Sequence, residues 1–131
     1  MTVFETRDLV YRYDRQAEPF ALRGCSMSVN AGERIALLGA NGSGKSTLLR
    51  LLDGLGFPES GEVLFHGEAL TEKRLRDSRF SFPFRRRVGF VFQNPDVQLF
   101  NPTVFEEVAF GPLQMRWPAD EIRRKVGEIL E

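Results

Sequence analysis

The chain has 131 residues, the size of one domain, and its 18 basic side chains balance 18 acidic ones. This neutrality argues against a dedicated nucleic-acid-binding protein, which usually carries a basic excess. With 42% hydrophobic and 27% charged residues, the composition is that of a globular domain and excludes disorder, and no apolar run approaches the roughly 20 residues of a membrane span.

The first part of the chain alternates as β-strands do. Loose alternation over residues 3–13 predicts a strand at a sheet edge, and residues 21–29 alternate as well. A turn signal at residues 30–32 predicts that residues 21–29 pair antiparallel with residues 33–38. The apolar run at 35–38 is typical of a strand buried on both faces.

Helices and further strands follow. The sequence predicts a helix over residues 45–53 that ends before Gly54. It also predicts a short strand at residues 60–67 and another buried strand at residues 88–92. From Pro118, one apolar stripe at helical spacing predicts an amphipathic helix. The members of this stripe are Ile122, Val126, Ile129 and Leu130. A strand, a glycine loop, a helix and more strands together indicate an α/β fold.

The glycine-rich segment 39–46 matches the pattern G-x-x-x-x-G-K-[ST] in full. It follows a predicted strand and opens a predicted helix, so its N–H groups and the helix dipole would both face a bound phosphate. Lys45 would then bridge β- and γ-phosphates, the hydroxyl of Ser46 would take Mg²⁺, and Thr47 would add a phosphate contact. The predicted nucleotide ligands in this loop are Gly39, Ala40, Asn41, Gly42, Ser43, Gly44, Lys45, Ser46 and Thr47.

The residues of this loop also suggest two other interpretations. The first is a glycine-rich turn between a strand and a helix that has a structural role and binds no ligand. A dinucleotide-binding Rossmann loop is excluded, because no G-x-G-x-x-G occurs in the chain.

The residues around the loop resemble the ATP-binding cassette (ABC) ATPases. Tyr13 stands about where that family has an aromatic residue that stacks on adenine. Residues 22–33 look like the family's antiparallel lead-in to the loop, and residues 54–63 look like its return from the first helix. Residues 91–95 resemble its Q-loop, in which a glutamine, here Gln93, reaches towards Mg²⁺ and the attacking water.

Residues 93–112 are further similar to the ATPase subunits of energy-coupling-factor transporters, including those for cobalt and nickel uptake. The resemblance implies an α/β P-loop NTPase core with an antiparallel β edge subdomain. It divides the chain into residues 1–92, with the aromatic loop and the phosphate loop, and residues 93–131, with the Q-loop and the start of a helical subdomain.

The same resemblance implies the activity and the setting. The cofactors would be ATP and Mg²⁺, with Lys45 and Gln93 as catalytic residues and Ser46 and Gln93 at the metal. ATP binding and hydrolysis would drive import of cobalt, nickel or a vitamin. The partners would be a second ABC ATPase subunit, in a homo- or heterodimer, and a transmembrane coupling subunit that contacts residues 93–112. The protein would bind no nucleic acid and would lie peripherally on the cytoplasmic face of the membrane.

Several family features have no counterpart in the sequence. Nothing after Gln93 resembles the signature loop LSGGQ, and no run of four apolar residues leads into Asp-Glu. We therefore expect an N-terminal part, truncated before the Walker B strand, that neither turns over ATP alone nor folds well alone. His66 precedes the Q-loop, so it does not replace the family's switch histidine. Smaller departures from the family pattern are Ala40 for a common Pro, Asp53 for a common Asn and Phe105 for a common acidic residue.

Two alternatives remain open at this point. Residues 73–87 carry seven basic side chains against Asp77 alone. This run is usually a solvated loop or face, but it would also imitate the arginine-rich lid of a small nucleotide kinase. A non-catalytic nucleotide-binding half-domain is the other alternative.

Overall fold

The structure is a computed structural model that describes residues 1–14 and 20–131. These residues form two compact units, Met1–Pro83 and Phe84–Glu131. The boundary between these compact units differs from the functional division expected between residues 92 and 93, which stays a prediction.

The first unit is built on a four-stranded antiparallel sheet in the order β2-β1-β3-β4. Its strands are β1 (Thr2–Tyr11), β2 (Leu22–Asn30), β3 (Ser60–Phe65) and β4 (Glu68–Ala69). Alternate side chains point into the unit, and Leu9 and Val63 are almost fully buried. Buried Thr6 is satisfied across the β1–β2 pair, since its hydroxyl donates to the Cys25 carbonyl and accepts from the Met27 N–H.

The edge position predicted for residues 3–13 is wrong, because β1 pairs with both β2 and β3. Alternation cannot separate an edge strand from an inner one when one face of an antiparallel sheet stays in solvent. On that open face Arg7 lies 2.7 Å from Glu5 and 3.0 Å from Glu62, so the polar residues of β1 pair with each other and with its neighbour.

The strands predicted at residues 33–38 and 88–92 are also wrong, and β2 pairs with β1 instead of with residues 33–38. A strand buried on both faces is stabilised by neighbouring strands and covering layers. Within the part of the chain that the structure describes, no strand pairs with either segment. Leu38 and Val91 are accordingly 91% and 94% exposed.

The predicted helix after the glycine loop is confirmed as α1 (Lys45–Leu52), which buries Leu48 and Leu51. Gly54 follows it with φ 69°, as predicted for the residue that ends a helix. A Cβ on Gly54 would lie 2.5 Å from Leu75 Cδ1, so packing as well as conformation favours glycine there.

The basic run at residues 73–87 is helical, and most of its basic side chains are exposed, in agreement with the predicted solvated loop or face. It forms α2 (Glu72–Arg76) and α3 (Ser78–Arg87), and Thr71 caps α2 by accepting from the Arg74 N–H. Ion pairs neutralise part of the charge, for example between Arg74 and Glu68 at 2.6 Å.

The second unit packs α4 (Val104–Gln114) against α5 (Ala119–Leu130), after a 3₁₀ turn at Pro95–Gln98. Its core consists of Ala109, Ile122 and Val126, with Val108 and Trp117 packed against it. The apolar stripe predicted from Pro118 is thus buried in its first two members and exposed in Ile129 and Leu130. Among the described residues, no helix has both the length and the apolar character required to cross a membrane.

Candidate nucleotide-binding site

The phosphate loop has a backbone that favours glycine at two points. Gly42 and Gly44 adopt φ 80° and 93°, in the left-handed region. Gly44 also has no room for a side chain, because a Cβ there would lie 2.4 Å from the Ala21 carbonyl oxygen. The loop therefore turns tightly into α1 while resting against the start of β2.

Lys45 points its ammonium group back over this loop. Its Nζ donates to the carbonyl oxygens of Gly39 at 2.7 Å and Ala40 at 2.8 Å, and it lies 3.3 Å from the Ser43 hydroxyl. Three N–H groups and a full positive charge thus sit at the centre of the loop, where phosphate oxygens can exchange with protein oxygens.

The N-terminus of α1 is open to an anion. Its N-cap is Gly44, which supplies no side-chain hydrogen bond, and no acidic residue lies in the first turn. The first backbone N–H groups of a helix lack carbonyl partners within it, so they are available as donors together with the positive end of the helix dipole. Anion binding is the chemistry that this end supports best.

The donor set for Mg²⁺ is partly present. Ser46 is exposed on the first turn of α1, and its hydroxyl makes no hydrogen bond among the described residues. A free oxygen next to the phosphate loop suits Mg²⁺, which prefers oxygen ligands and shares them with substrate phosphates. Among those same residues, no cluster of three or more His, Cys, Asp or Glu side chains is arranged to hold a metal ion.

Tyr13 lies at the side of α1. Its ring is 65% exposed, and its hydroxyl is 2.6 Å from the hydroxyl of buried Thr47. The rings of Tyr13 and Tyr11 pack edge to face, with their centroids 5.2 Å apart. The structure therefore brings Tyr13 next to the phosphate-loop helix, and its predicted stacking on adenine stays a prediction.

A pocket of about 130 Å³ opens beside this pair. Its lining residues are Tyr11, Tyr13, Thr47, Arg50, Leu51, Leu55 and Gly56. Sequence reasoning missed Tyr11 and Arg50. The available signal for Tyr11 was its place two residues before Tyr13 in the strand predicted over residues 3–13, because residues two apart in a strand share a face; in the structure β1 ends at Tyr11.

Gln93 belongs to the second unit, where it is exposed at a bend before the 3₁₀ turn. Asn94 caps that turn by accepting from the Asp96 N–H. The catalytic and metal roles of Gln93 stay predictions. His66 occupies an exposed turn after β3.

The segment from 93 to 112 carries apolar side chains at the surface. Val97, Leu99 and Phe100 are 78%, 64% and 63% exposed, so they do not cover a local core. The loop behind them is held by Glu107, whose carboxylate accepts from the Asn101 side-chain amide at 2.8 Å and from the Asn101 backbone N–H at 2.9 Å. These hydrogen bonds hold the pKa of Glu107 below its usual value, and the bond from the Asn101 side-chain amide has the largest effect.

Comparisons with known proteins agree with this geometry. A family profile described as "ABC transporter" matches residues 22–130. The nickel import ATP-binding protein NikO of Rhodobacter capsulatus is 58% identical over 110 residues, which is 84% of this chain and 43% of that protein. The energy-coupling factor transporter ATP-binding protein EcfA of Methanothermobacter thermautotrophicus is 48% identical over 129 residues, covering 98% of this chain and 40% of that protein.

Solved structures show the same fold. A CbiO protein of Clostridium perfringens, part of the ABC transporter complex CbiONQ, matches with a TM-score of 0.75 and 37% identity over 98% of this chain and 49% of that one. The chain spans about half the length of the curated relatives it matches. Because the profile covers most of the chain, and the loop, helix and sheet agree with it, this chain belongs to the ABC transporter family, among its ATP-binding proteins.

Proposed function

We propose that the chain is the nucleotide-binding part of an ATPase subunit of an importer for nickel, cobalt or a vitamin. One observation carries the proposal: the Lys45 ammonium lies over a glycine loop that ends at the uncapped N-terminus of α1. This arrangement suits the phosphates of a nucleotide. The family match supports a transport ATPase over a small nucleotide kinase.

Each predicted ligand then has a role in the bound state. The N–H groups of the loop would hold the β-phosphate, and Lys45 would bridge it to the γ-phosphate. Ser46 would offer its hydroxyl to Mg²⁺, which neutralises charge on the phosphates when bound. Tyr13 would stack on adenine with the exposed face of its ring, and Gln93 would orient water near the metal.

Energy coupling would involve the second unit. The exposed apolar residues at 97–100 offer a surface for a transmembrane subunit, and exposed apolar groups of this kind mark interaction sites. We place the protein peripherally on the cytoplasmic face of the membrane, paired with a second ATPase subunit. The names of the nickel-import and energy-coupling-factor relatives support this assignment.

Substitution of Lys45 tests the nucleotide site. The substitution is made in the protein as its gene encodes it. Lys45→Ala should reduce ATP affinity to background, because the charge-assisted hydrogen bonds from the Lys45 ammonium to the phosphates are lost. Lys73→Ala is the matched control, since Lys73 is an exposed lysine without a hydrogen bond or ion pair among the described residues. Calorimetric titration with ATP and Mg²⁺ gives the result. Equal binding by the wild type and Lys45→Ala would contradict the proposal.

A further inference from the structure

Two hydroxyl groups meet at the side of α1, and their contact is not part of the phosphate-loop motif. Tyr13 and Thr47 are far apart in the sequence, yet their hydroxyl oxygens are 2.6 Å apart. Thr47 is 4% exposed and lies on a regular helix, whereas Tyr13 is 65% exposed beyond the end of β1. The contact therefore joins a fixed group to an exposed one.

We propose that Thr47 is a positioning residue that holds the Tyr13 ring in place as a platform for the nucleobase. The inference rests on the proposed nucleotide function and extends it to a residue that acts through another. Through this hydroxyl contact, Thr47 would increase the affinity of the site for the nucleobase, in addition to any contact that Thr47 makes with phosphate.

The surroundings of the ring explain why the hydroxyl contact matters. Among the described residues, Tyr11 is the one aromatic side chain packed on the Tyr13 ring, with the two centroids 5.2 Å apart. Tyr13 also lines the pocket of about 130 Å³, so another part of its surface faces open space. A ring that is mostly exposed and packed on one side has several accessible orientations. A hydrogen bond at its far end selects one of them before the ligand arrives, which lowers the entropy cost of binding.

The Thr47 hydroxyl can hydrogen-bond to Tyr13 and to a phosphate at the same time. When the Tyr13 hydroxyl donates, the Thr47 oxygen accepts and its own proton remains available to another acceptor. Thr47 directly follows Ser46 of the phosphate loop. A phosphate oxygen can therefore accept from Thr47 while the tyrosine contact persists, so binding does not have to break the platform.

The readout is the preference for ATP over inorganic tripolyphosphate, measured as the ratio of their dissociation constants in the protein as its gene encodes it. Tripolyphosphate occupies the phosphate loop without a base. Tyr13→Phe keeps the stacking ring and removes the anchor, and Thr47→Val keeps the shape and removes the acceptor. Each should lower the preference for ATP roughly three- to tenfold, the effect of one hydrogen bond. The double variant should show no further loss, because both changes remove the same contact.

Two controls separate this contact from general effects. Ser28→Ala removes an exposed hydroxyl on β2, outside the pocket and without a hydrogen bond among the described residues, so the preference should not change. Thr47→Ser retains the acceptor and should restore the preference. Helix content measured by circular dichroism verifies that each variant is folded, and Tyr13→Phe, at an exposed position, carries the test if Thr47→Val does not fold.

An unchanged preference in Tyr13→Phe would overturn the proposal, as would losses that add in the double variant. An increased preference would also overturn it, because the contact would then compete with the nucleotide. Failure of the nucleotide function itself gives a different result, in which the wild type and Lys45→Ala bind ATP equally.

Discussion

Gly42 and Gly44 lie two residues apart in the phosphate loop and have different physical constraints. Both have left-handed backbones, with φ 80° and 93°. A Cβ on Gly42 would meet no heavy atom within 4 Å, whereas one on Gly44 would lie 2.4 Å from the Ala21 carbonyl oxygen and 2.9 Å from Leu22. Conformation alone requires glycine at the first position, and conformation and packing together require it at the second.

The pair gives a matched test of the loop. Gly42→Ala should destabilise the protein by about 1–2 kcal/mol, the cost of a left-handed residue with a side chain. Gly44→Ala should cost clearly more, since the start of β2 must also move. Both variants are made in the protein as its gene encodes it, and urea unfolding measures the difference in their free energies of unfolding. Equal losses in the two variants would show that the contact with residues 21–22 does not constrain the loop.

Glu107 makes the loop before α4 sensitive to acid. Its carboxylate accepts from the Asn101 side chain and from the N–H groups of Asn101 and Phe100, and its pKa is therefore lowered in the folded state. A group with a lowered pKa stabilises the fold above its unfolded pKa, and this stabilisation is lost as the pH falls through the folded pKa. The loop should thus be held at neutral pH and released below the usual range of a glutamate.

Removing the amide of Asn101 tests this dependence. In Asn101→Ala, the pKa of Glu107 should rise towards its usual value, as measured by NMR titration of the side-chain carboxyl carbon. Asn94→Ala is the control, because the Asn94 side chain caps the 3₁₀ turn and, among the described residues, makes no contact with Glu107. Identical Glu107 titrations in wild type and Asn101→Ala would contradict the assignment of the cause.

Some secondary-structure elements of this chain are determined by residues close to them in the sequence, and others depend on distant partners. Helix α1 was predicted closely, because its glycine N-cap, its apolar spacing and Gly54 all lie within a few residues of it. The apolar runs at 33–38 and 88–92 were predicted as strands and are not strands here, because a strand depends on neighbours that the run itself does not encode. The Tyr13–Thr47 contact was not predictable either, since it depends on where the end of β1 meets α1.

The segment from 93 to 112 is the element for which we predict a partner. Phe100→Asp, in the protein as its gene encodes it, should impair assembly with a transmembrane subunit, because a charge replaces an apolar side chain that is 63% exposed. ATP affinity should stay unchanged. Arg123→Asp introduces the same carboxylate at an exposed position of α5 and should have no effect on assembly. Co-purification of the two subunits gives the comparison, and undiminished co-purification of Phe100→Asp would contradict the predicted surface.

At the scale of the molecule, apolar side chains remain at the surface where the sequence predicts burial. Leu38 and Val91 are 91% and 94% exposed, and Ile35, Ile129 and Leu130 range from 46% to 69%. Burial of one such side chain contributes about 1.5–3 kcal/mol, and the total stability of a domain is only about 5–15 kcal/mol. Leaving several of these groups in water removes a large part of the free energy that a domain of this size has available.

We therefore predict that the 131 residues, expressed alone, lack a cooperative thermal transition and bind a hydrophobic dye such as ANS. The combined substitutions Leu38→Ser and Val91→Ser should reduce dye binding by removing two of the most exposed apolar side chains, without creating a cooperative transition. Differential scanning calorimetry and dye fluorescence measure both effects. A sharp and reversible transition in a monomer would contradict the prediction, because it would show that the sheet, α1 and the α4–α5 pair are stable without further layers over these residues.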